Sequence, residues 1–236
     1  SNLTATGTVS LGATSFNDQN ITNVGNIALD SITADGSTIT ITGNTTFEVM
    51  RHFMPKIDES IILKTLTLTS KNYILATAHR SENVDNPHFL KIIMDSLSDI
   101  SKKFDCEVVY PMHPRTQSKM NISDSPKGVT IINPLGFYDF SKLLKESLCV
   151  ISDSGTAAEE GIFYGVPNVS LRMATERPET VESGSTIISG MNKQNIVDSV
   201  VTAIELPWAV KYDFAEDHSP SSVVINSIRS DITNFF

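Results

Sequence analysis

From residue 72 onward, short apolar runs alternate with longer amphipathic stretches. Continuous apolar runs at 72–77, 107–111, 128–132, 147–152, 167–171 and 185–189 predict six strands. Runs of that length without polar alternation suit strands buried on both faces. Between them the period changes to that of a helix. Phe89, Ile92, Ile93, Leu97 and Ile100 mark one apolar face, and Ile196, Val200, Val201 and Ile204 another. Regular strand–helix alternation predicts an α/β fold with a doubly wound parallel sheet. In such sheets ligands bind outside the carboxyl ends of the strands. His79, His113 and Ser154 each follow a predicted strand, so the pattern places them on one rim.

The first 40 residues are different in kind. They are rich in Ser, Thr, Asn and Gly, contain no Lys, Arg or Glu, and have Phe16 as their one aromatic residue. Stretches such as 27–33 and 37–42 alternate apolar and small polar residues, the period of a half-buried strand. Gly7, Gly12, Gly25 and Gly36 punctuate them at turn positions. The expected organisation is therefore a short β-rich segment over 1–40, read as fused or foreign, and an α/β domain over 41–236. In composition, the first segment resembles the short-strand parts of phage tail-fibre and other virion surface proteins.

The richest chemistry lies in residues 149–184. A strand ending at Ser152 runs into Asp153-Ser154-Gly155-Thr156, and a helix-forming stretch with Glu159 and Glu160 follows. Small residues at a helix start leave backbone N–H groups free, and these groups and the helix dipole attract an anion. The Ser154 and Thr156 hydroxyls add donors. A carboxylate one turn into the helix can accept from both hydroxyls of a ribose. Arg177, in Glu176-Arg177-Pro178-Glu179, is suited to pairing with phosphate. Together these parts describe a pocket for a nucleoside diphosphate. Taken singly each has a plainer reading: DSG is a common turn, and paired glutamates are usually a solvated helix face.

The ordered run DSGTAAEE, GVP, SLR, TERPE and VESG resembles the non-hydrolysing UDP-N-acetylglucosamine 2-epimerases. Upstream, Thr77-Ala78-His79-Arg80-Ser81-Glu82-Asn83, Tyr110-Pro111-Met112-His113-Pro114 and Thr42-Gly43-Asn44-Thr45 are similar to that family's segments in the same order. Thr156 departs from the pattern, replacing a second glycine. It either crowds the backbone beside the diphosphate or supplies one more donor.

The resemblance implies a glycosyltransferase-B-type architecture, with residues 41–236 as its carboxyl-terminal, Rossmann-like, nucleotide-holding half. It implies UDP or a UDP-N-acetyl sugar as ligand, bound through Ser154, Gly155, Glu160 and Arg177, with Asp153 and Thr156 in support. It implies an active-site role for His79, whose plainer reading is a hydrogen-bonded residue closing a strand. His113 corresponds to a histidine of a second, regulatory site, and a loop role between two prolines is equally open. Glu82 either touches ligand or orients Arg80. The implied reaction inverts C2 of the sugar by elimination and re-addition of UDP, with no metal or redox cofactor. Its acid/base carboxylates come mainly from the other half, so this chain is expected to be inactive alone. Two further readings stand beside this one: a nucleotide- or glycan-binding module carried on a virion protein, and a passenger on a self-associating β segment.

Charge and composition narrow the classes. The formal net charge is −9, of which the first 45 residues hold −3, so the acidity is spread out. Without a basic stripe, general nucleic-acid binding is not expected. No apolar run approaches membrane-spanning length. Cys106 and Cys149 read as buried free thiols in a reducing cytosol. The expected location is cytoplasmic for the epimerase-like part, or a virion surface if the first segment is a fibre. The five histidines lack the mutual spacing of a metal site. A final helix over 221–236, carrying Val224, Ile225, Ile228, Ile232, Phe235 and Phe236, and a helix beginning near Phe47, Val49 and Met50 are expected to expose apolar faces. A homo-oligomer follows from such faces.

Overall fold

The computed structural model describes residues 44–120, 125–206 and 219–233. The β-rich reading of 1–40 lies outside them. The chain divides between Ile41 and Thr42, and every described residue belongs to the second unit.

Two helices open this unit, α1 (Thr45–Asp58) and the short α2 (Ile62–Thr65). Then β1 (Tyr73–Thr77) leads through α3 (Ser81–Val84) and α4 (Pro87–Phe104) to β2 (Glu107–Pro111). The short α5 (Pro114–Gln117) precedes β3 (Val129–Ile132), and α6 (Phe137–Glu146) leads to β4 (Cys149–Ser152). Next come α7 (Gly155–Tyr164), β5 (Asn168–Ser170), α8 (Pro178–Glu182), β6 (Thr186–Ile188), α9 (Lys193–Glu205) and α10 (Pro220–Thr233). Each strand falls within a run that the apolar pattern marks.

The sheet is parallel, in the order β3-β2-β1-β4-β5-β6. This is the doubly wound order, and the winding direction reverses between β1 and β4. Those two strands end level, with Thr77 opposite Ser152. A crevice must open above that pair, because the connections from β1 and β4 leave in opposite directions.

The core explains the continuous apolar strands. All five residues of β1 are buried, and they alternate between two hydrophobic layers. Ile74 and Ala76 face the layer completed by α4 and α9. Tyr73 and Leu75 face the layer completed by α6 and α7. On α4 the buried face runs through Leu90, Ile93, Met94, Leu97 and Ile100. The expected face included Phe89 and Ile92, which are only partly buried. Phe89 lies in the first turn beside the Asn86 cap, before the helix meets the sheet, so the buried stripe starts one residue later. On α9 the buried set is Ile196, Val197, Val200 and Ala203, with Val201 and Ile204 partly buried at its edge.

One glycine is required by packing near the site. Gly161 lies within α7, and a Cβ there would stand 2.9 Å from the Val166 carbonyl oxygen. The absent side chain lets α7 lie close against the chain that returns to β5. The helix then ends at Gly165, whose φ of +70° is a left-handed cap that a glycine adopts without strain.

Near the amino end, Met50 is fully buried, with the Tyr164 hydroxyl 3.0 Å from its sulfur. It therefore does not join an open apolar face, which corrects that expectation. Phe47 stacks on Phe163 at 5.7 Å. Val49, Val224, Ile225 and Ile228 are exposed at 42%, 40%, 50% and 53%; the expectation for Phe235, Phe236 and the Ile232 side chain lies outside what the structure describes. No helix among the described residues is long and apolar enough to cross a membrane.

Candidate functional site

The crevice above β1 and β4 is a cavity of about 250 Å³, open to solvent. His79, His113, Ser154, Thr156 and Glu160 line it, so the structure brings these sequence-selected residues together. Pro134, Leu135 and Phe140 form an apolar wall. Gly155 opens α7 directly behind Ser154. A larger depression, about 640 Å³, lies at the other end of the sheet, by the amino ends of β1, β2 and β3. Size alone favours it, but chemistry does not. It faces the carboxyl end of α4 around Ser101 and Lys102, where helix carbonyls disfavour an anion.

The α7 start fits the reading of an anion-binding turn. Ser154 is its N-cap residue in extended geometry, and no side chain caps the helix. The first turn carries no acid, so nothing there offsets the dipole. The Ser154 N–H donates to Ser152 Oγ at 2.9 Å, and the first N–H groups of α7 have no intrahelical acceptor. Two guanidinium side chains flank this turn. A Cβ built on Gly155 would stand 3.9 Å from both Arg172 Nη1 and Arg177 Cγ.

Asp153 organises the other side. It is fully buried, and its carboxylate accepts from the backbone N–H of His79 at 3.0 and 3.1 Å and of Arg80 at 2.9 Å. Asn83 Nδ2 donates to it at 3.1 Å and to the Leu171 carbonyl at 3.0 Å. His79 Nδ1 stands 3.5 Å from the same carboxylate. The Ala78 carbonyl is held by the Tyr110 hydroxyl at 2.9 Å and the Thr116 hydroxyl at 2.8 Å. Both backbone faces around His79 are thus fixed, and the imidazole projects from a rigid strand end. His113 caps α5, its Nδ1 accepting from the Arg115 N–H at 3.1 Å. That bond keeps Nδ1 unprotonated and leaves Nε2 as the donor. The His79 and His113 rings lie 5.2 Å apart, so both address one space.

Glu159 and Glu160 are both 7% exposed, which excludes the solvated-face reading. Glu160 points into the cavity, and its pKa is pushed up to about 7, first by burial and then by the neighbouring Glu159 charge. Glu159 turns the other way and pairs with Arg177, Nε to Oε1 at 2.7 Å. The contact is ionic rather than an aligned hydrogen bond, since that Nε has no bond of acceptable geometry. Arg80 lies outside the cavity lining and pairs with Glu82 at 3.3 Å.

The sequence assigns no role to several residues found here. Arg172 is held by Glu176 through two bonds, at 2.6 and 3.0 Å, with its side chain 10% exposed. Its signal in the sequence is that it closes the SLR segment just before the TERPE run. The Pro134–Leu135–Phe140 wall has no signal, because apolar residues after a strand look like any loop anchor.

These features define a class: a doubly wound α/β domain with its cleft at the switch point of the sheet. The family model for UDP-N-acetylglucosamine 2-epimerase matches residues 33–220, and the chain belongs to that family. A UDP-N-acetylglucosamine 2-epimerase of Methanococcus maripaludis is 34% identical over 175 residues, covering 71% of this chain and 48% of the relative. The enzyme of the same name from Methanocaldococcus jannaschii is 36% identical over 159 residues, covering 65% and 43%. The crystal structure of the Methanocaldococcus jannaschii UDP-GlcNAc 2-epimerase with UDP-GlcNAc and UDP matches with a TM-score of 0.70 at 27% identity, over 82% of this chain and 57% of that one. The chain thus spans about half the length of these relatives.

Proposed function

We propose that this domain binds UDP and a UDP-N-acetyl sugar and serves as the nucleotide-holding half of a 2-epimerase. The observation that carries the reading is convergence. The uncapped α7 start, Glu160 and His79 meet in one cavity at the β1/β4 switch point. The diphosphate is held by the α7 N–H groups, Ser154 and Gly155, with Arg177 offsetting its charge. Ionised Glu160 accepts from the ribose hydroxyls. The apolar wall of Pro134, Leu135 and Phe140 receives the base, where ring faces replace water. His79, fixed from behind by Asp153, meets the phosphate nearest the sugar. His113 shares that space, so a second nucleotide-sugar at His113 would lie beside the first.

The reaction removes the C2 proton and breaks the C1–oxygen bond, releasing UDP. Re-addition of UDP and return of a proton on the other face give the epimer. The leaving diphosphate needs the donors described above. Abstraction at C2 needs a base. Glu160 is the one carboxylate among the described cavity-lining residues, and the ribose takes it. This division supports a holding role for the domain, with the acid/base groups supplied from elsewhere. The free Cys106 and Cys149 fit a reducing compartment such as the cytoplasm.

Calorimetric titration with UDP and UMP, without added metal, tests the reading. UDP is expected to bind more tightly, because the helix start and Arg177 address the second phosphate as well as the first. Equal affinities would remove the diphosphate assignment. The same reading includes self-association. Glu48 of α1 accepts from Ser219 Oγ at 2.6 Å, Ser221 N at 3.1 Å and Ser221 Oγ at 2.7 Å, tying α10 to α1. The exposed Val49, Val224, Ile225 and Ile228 therefore lie on two joined helices. Light scattering should give a mass above the monomer, and a monodisperse monomer at high concentration would refute it.

A further inference from the structure

We infer that Glu159 is a positioning residue: it sets the plane of the Arg177 guanidinium over the α7 start, and is itself set by Asn44 and Thr46. The inference rests on the nucleotide-diphosphate reading above. Arg177 stands at the entry to α8 with its backbone fixed on both sides. Its N–H donates to Thr175 Oγ1 at 3.0 Å, and its carbonyl accepts from Thr180 Oγ1 at 2.8 Å. The side chain has no such support from its own loop beyond Nη1, which donates to the Glu176 carbonyl at 3.2 Å. What fixes its Nε edge is Glu159, at 2.7 Å.

A guanidinium is planar, so holding one edge determines where the other edge points. With Nε toward Glu159 and Nη1 toward the Glu176 carbonyl, Nη2 is the group left to offer. Arg177 Cγ lies beside Gly155, so the side chain carries its guanidinium from the helix start. The Glu159 carboxylate is well placed for this task. Its side chain is 10% exposed, and it accepts from Asn44 Nδ2 at 3.2 Å and Thr46 Oγ1 at 3.4 Å. Those donors belong to the cap and first turn of α1, more than a hundred residues away in sequence. The arginine is thus oriented by an acid that the cap of another helix holds still. Arg172 is organised in the same manner, its guanidinium gripped by Glu176.

A carboxylate beside a phosphate site has two other possible effects. It could repel the diphosphate, or it could merely tie α1 to α7. A thermodynamic cycle separates all three. UDP and UMP affinities are measured by calorimetry for the full chain, Glu159→Gln, Arg177→Ala and the double variant, each with a melting curve. Positioning predicts that Glu159→Gln lowers the UDP-over-UMP affinity ratio about tenfold, and that it lowers the ratio no further once Arg177 is Ala. A ratio that rises would mean repulsion. A ratio that is unchanged, with only the melting temperature lowered, would mean a structural tie. Either result overturns the inference while leaving the nucleotide reading intact. If the parent itself fails to discriminate UDP from UMP, the nucleotide reading falls and this inference with it. Should Glu159→Gln not fold, Glu159→Asp decides. It keeps the charge but withdraws the carboxylate from Nε, and is expected to lose the ratio as well; retention would overturn the inference.

Discussion

Replacing Asp153 by Ala is expected to cost about 3–5 kcal/mol of folding stability, a large share of the total for a domain of this size. The carboxylate is fully buried and holds the backbone N–H groups of His79 and Arg80 and the amide of Asn83. Without it those donors remain in an interior that water does not reach, and each unsatisfied group costs about 1–3 kcal/mol. The loss is structural first and functional second. The His79 loop and the β4–α7 turn are joined through this one side chain, so UDP affinity should fall with stability. Asp153→Asn should be milder, because it keeps one acceptor oxygen for these donors, and it should still cost stability, because its NH₂ group faces the remaining ones. Urea unfolding of the three proteins checks this. An Ala variant within about 1 kcal/mol of the parent would mean that the loop satisfies its backbone in another way.

The second large effect concerns pH. Glu160 titrates near 7 in the folded domain rather than at 4.5, because burial and the Glu159 charge disfavour its ionised form. A carboxyl whose pKa is raised by folding favours the folded state most when it is neutral. Its contribution is fully present below about 4.5 and is lost as pH rises through about 7. A shift of that size corresponds to about 3 kcal/mol. Glu160→Gln should therefore match the parent in stability near pH 4.5 and exceed it by up to about 3 kcal/mol at about pH 8. Binding should run the other way. If the ribose hydroxyls donate to the ionised carboxylate, UDP affinity of the parent rises as pH passes about 7, and that rise disappears in Glu160→Gln. Parallel stability curves for the two proteins from about pH 5 to 8 would show that the burial of Glu160 is not felt. A residue that weakens the fold where it serves binding is the usual exchange at a functional site.

The frame of the site is legible in the chain itself, and the reason is physical. Parallel strands are buried on both faces, so β1, β2 and β4 appear as unbroken apolar runs that no surface element imitates. The turn after β4 is equally plain, because Asp153-Ser154-Gly155 joins a strand to a helix start and leaves few other geometries. Partner choice is not legible. Nothing local says that Glu159 turns to Arg177 while Glu160 faces the cavity, since adjacent helix positions differ by about 100° and only tertiary packing decides which is which. Asp153 reads as a turn residue and is a buried hub, because its donors lie some 70 residues upstream. Arg172 closes the recognisable SLR segment but gains meaning only when its guanidinium comes beside Gly155. The Pro134–Leu135–Phe140 wall is silent for a related reason. Apolar side chains acquire a role from what they face.

The most direct measurement of the central claim is a crystal structure of the chain with UDP, grown without divalent metal. The account predicts the diphosphate at the α7 start between Ser154 and Arg177, the ribose hydroxyls on Glu160, and the base against Leu135 and Phe140. UDP bound in the larger depression beside Ser101 and Lys102, or with its phosphates away from α7, would contradict it.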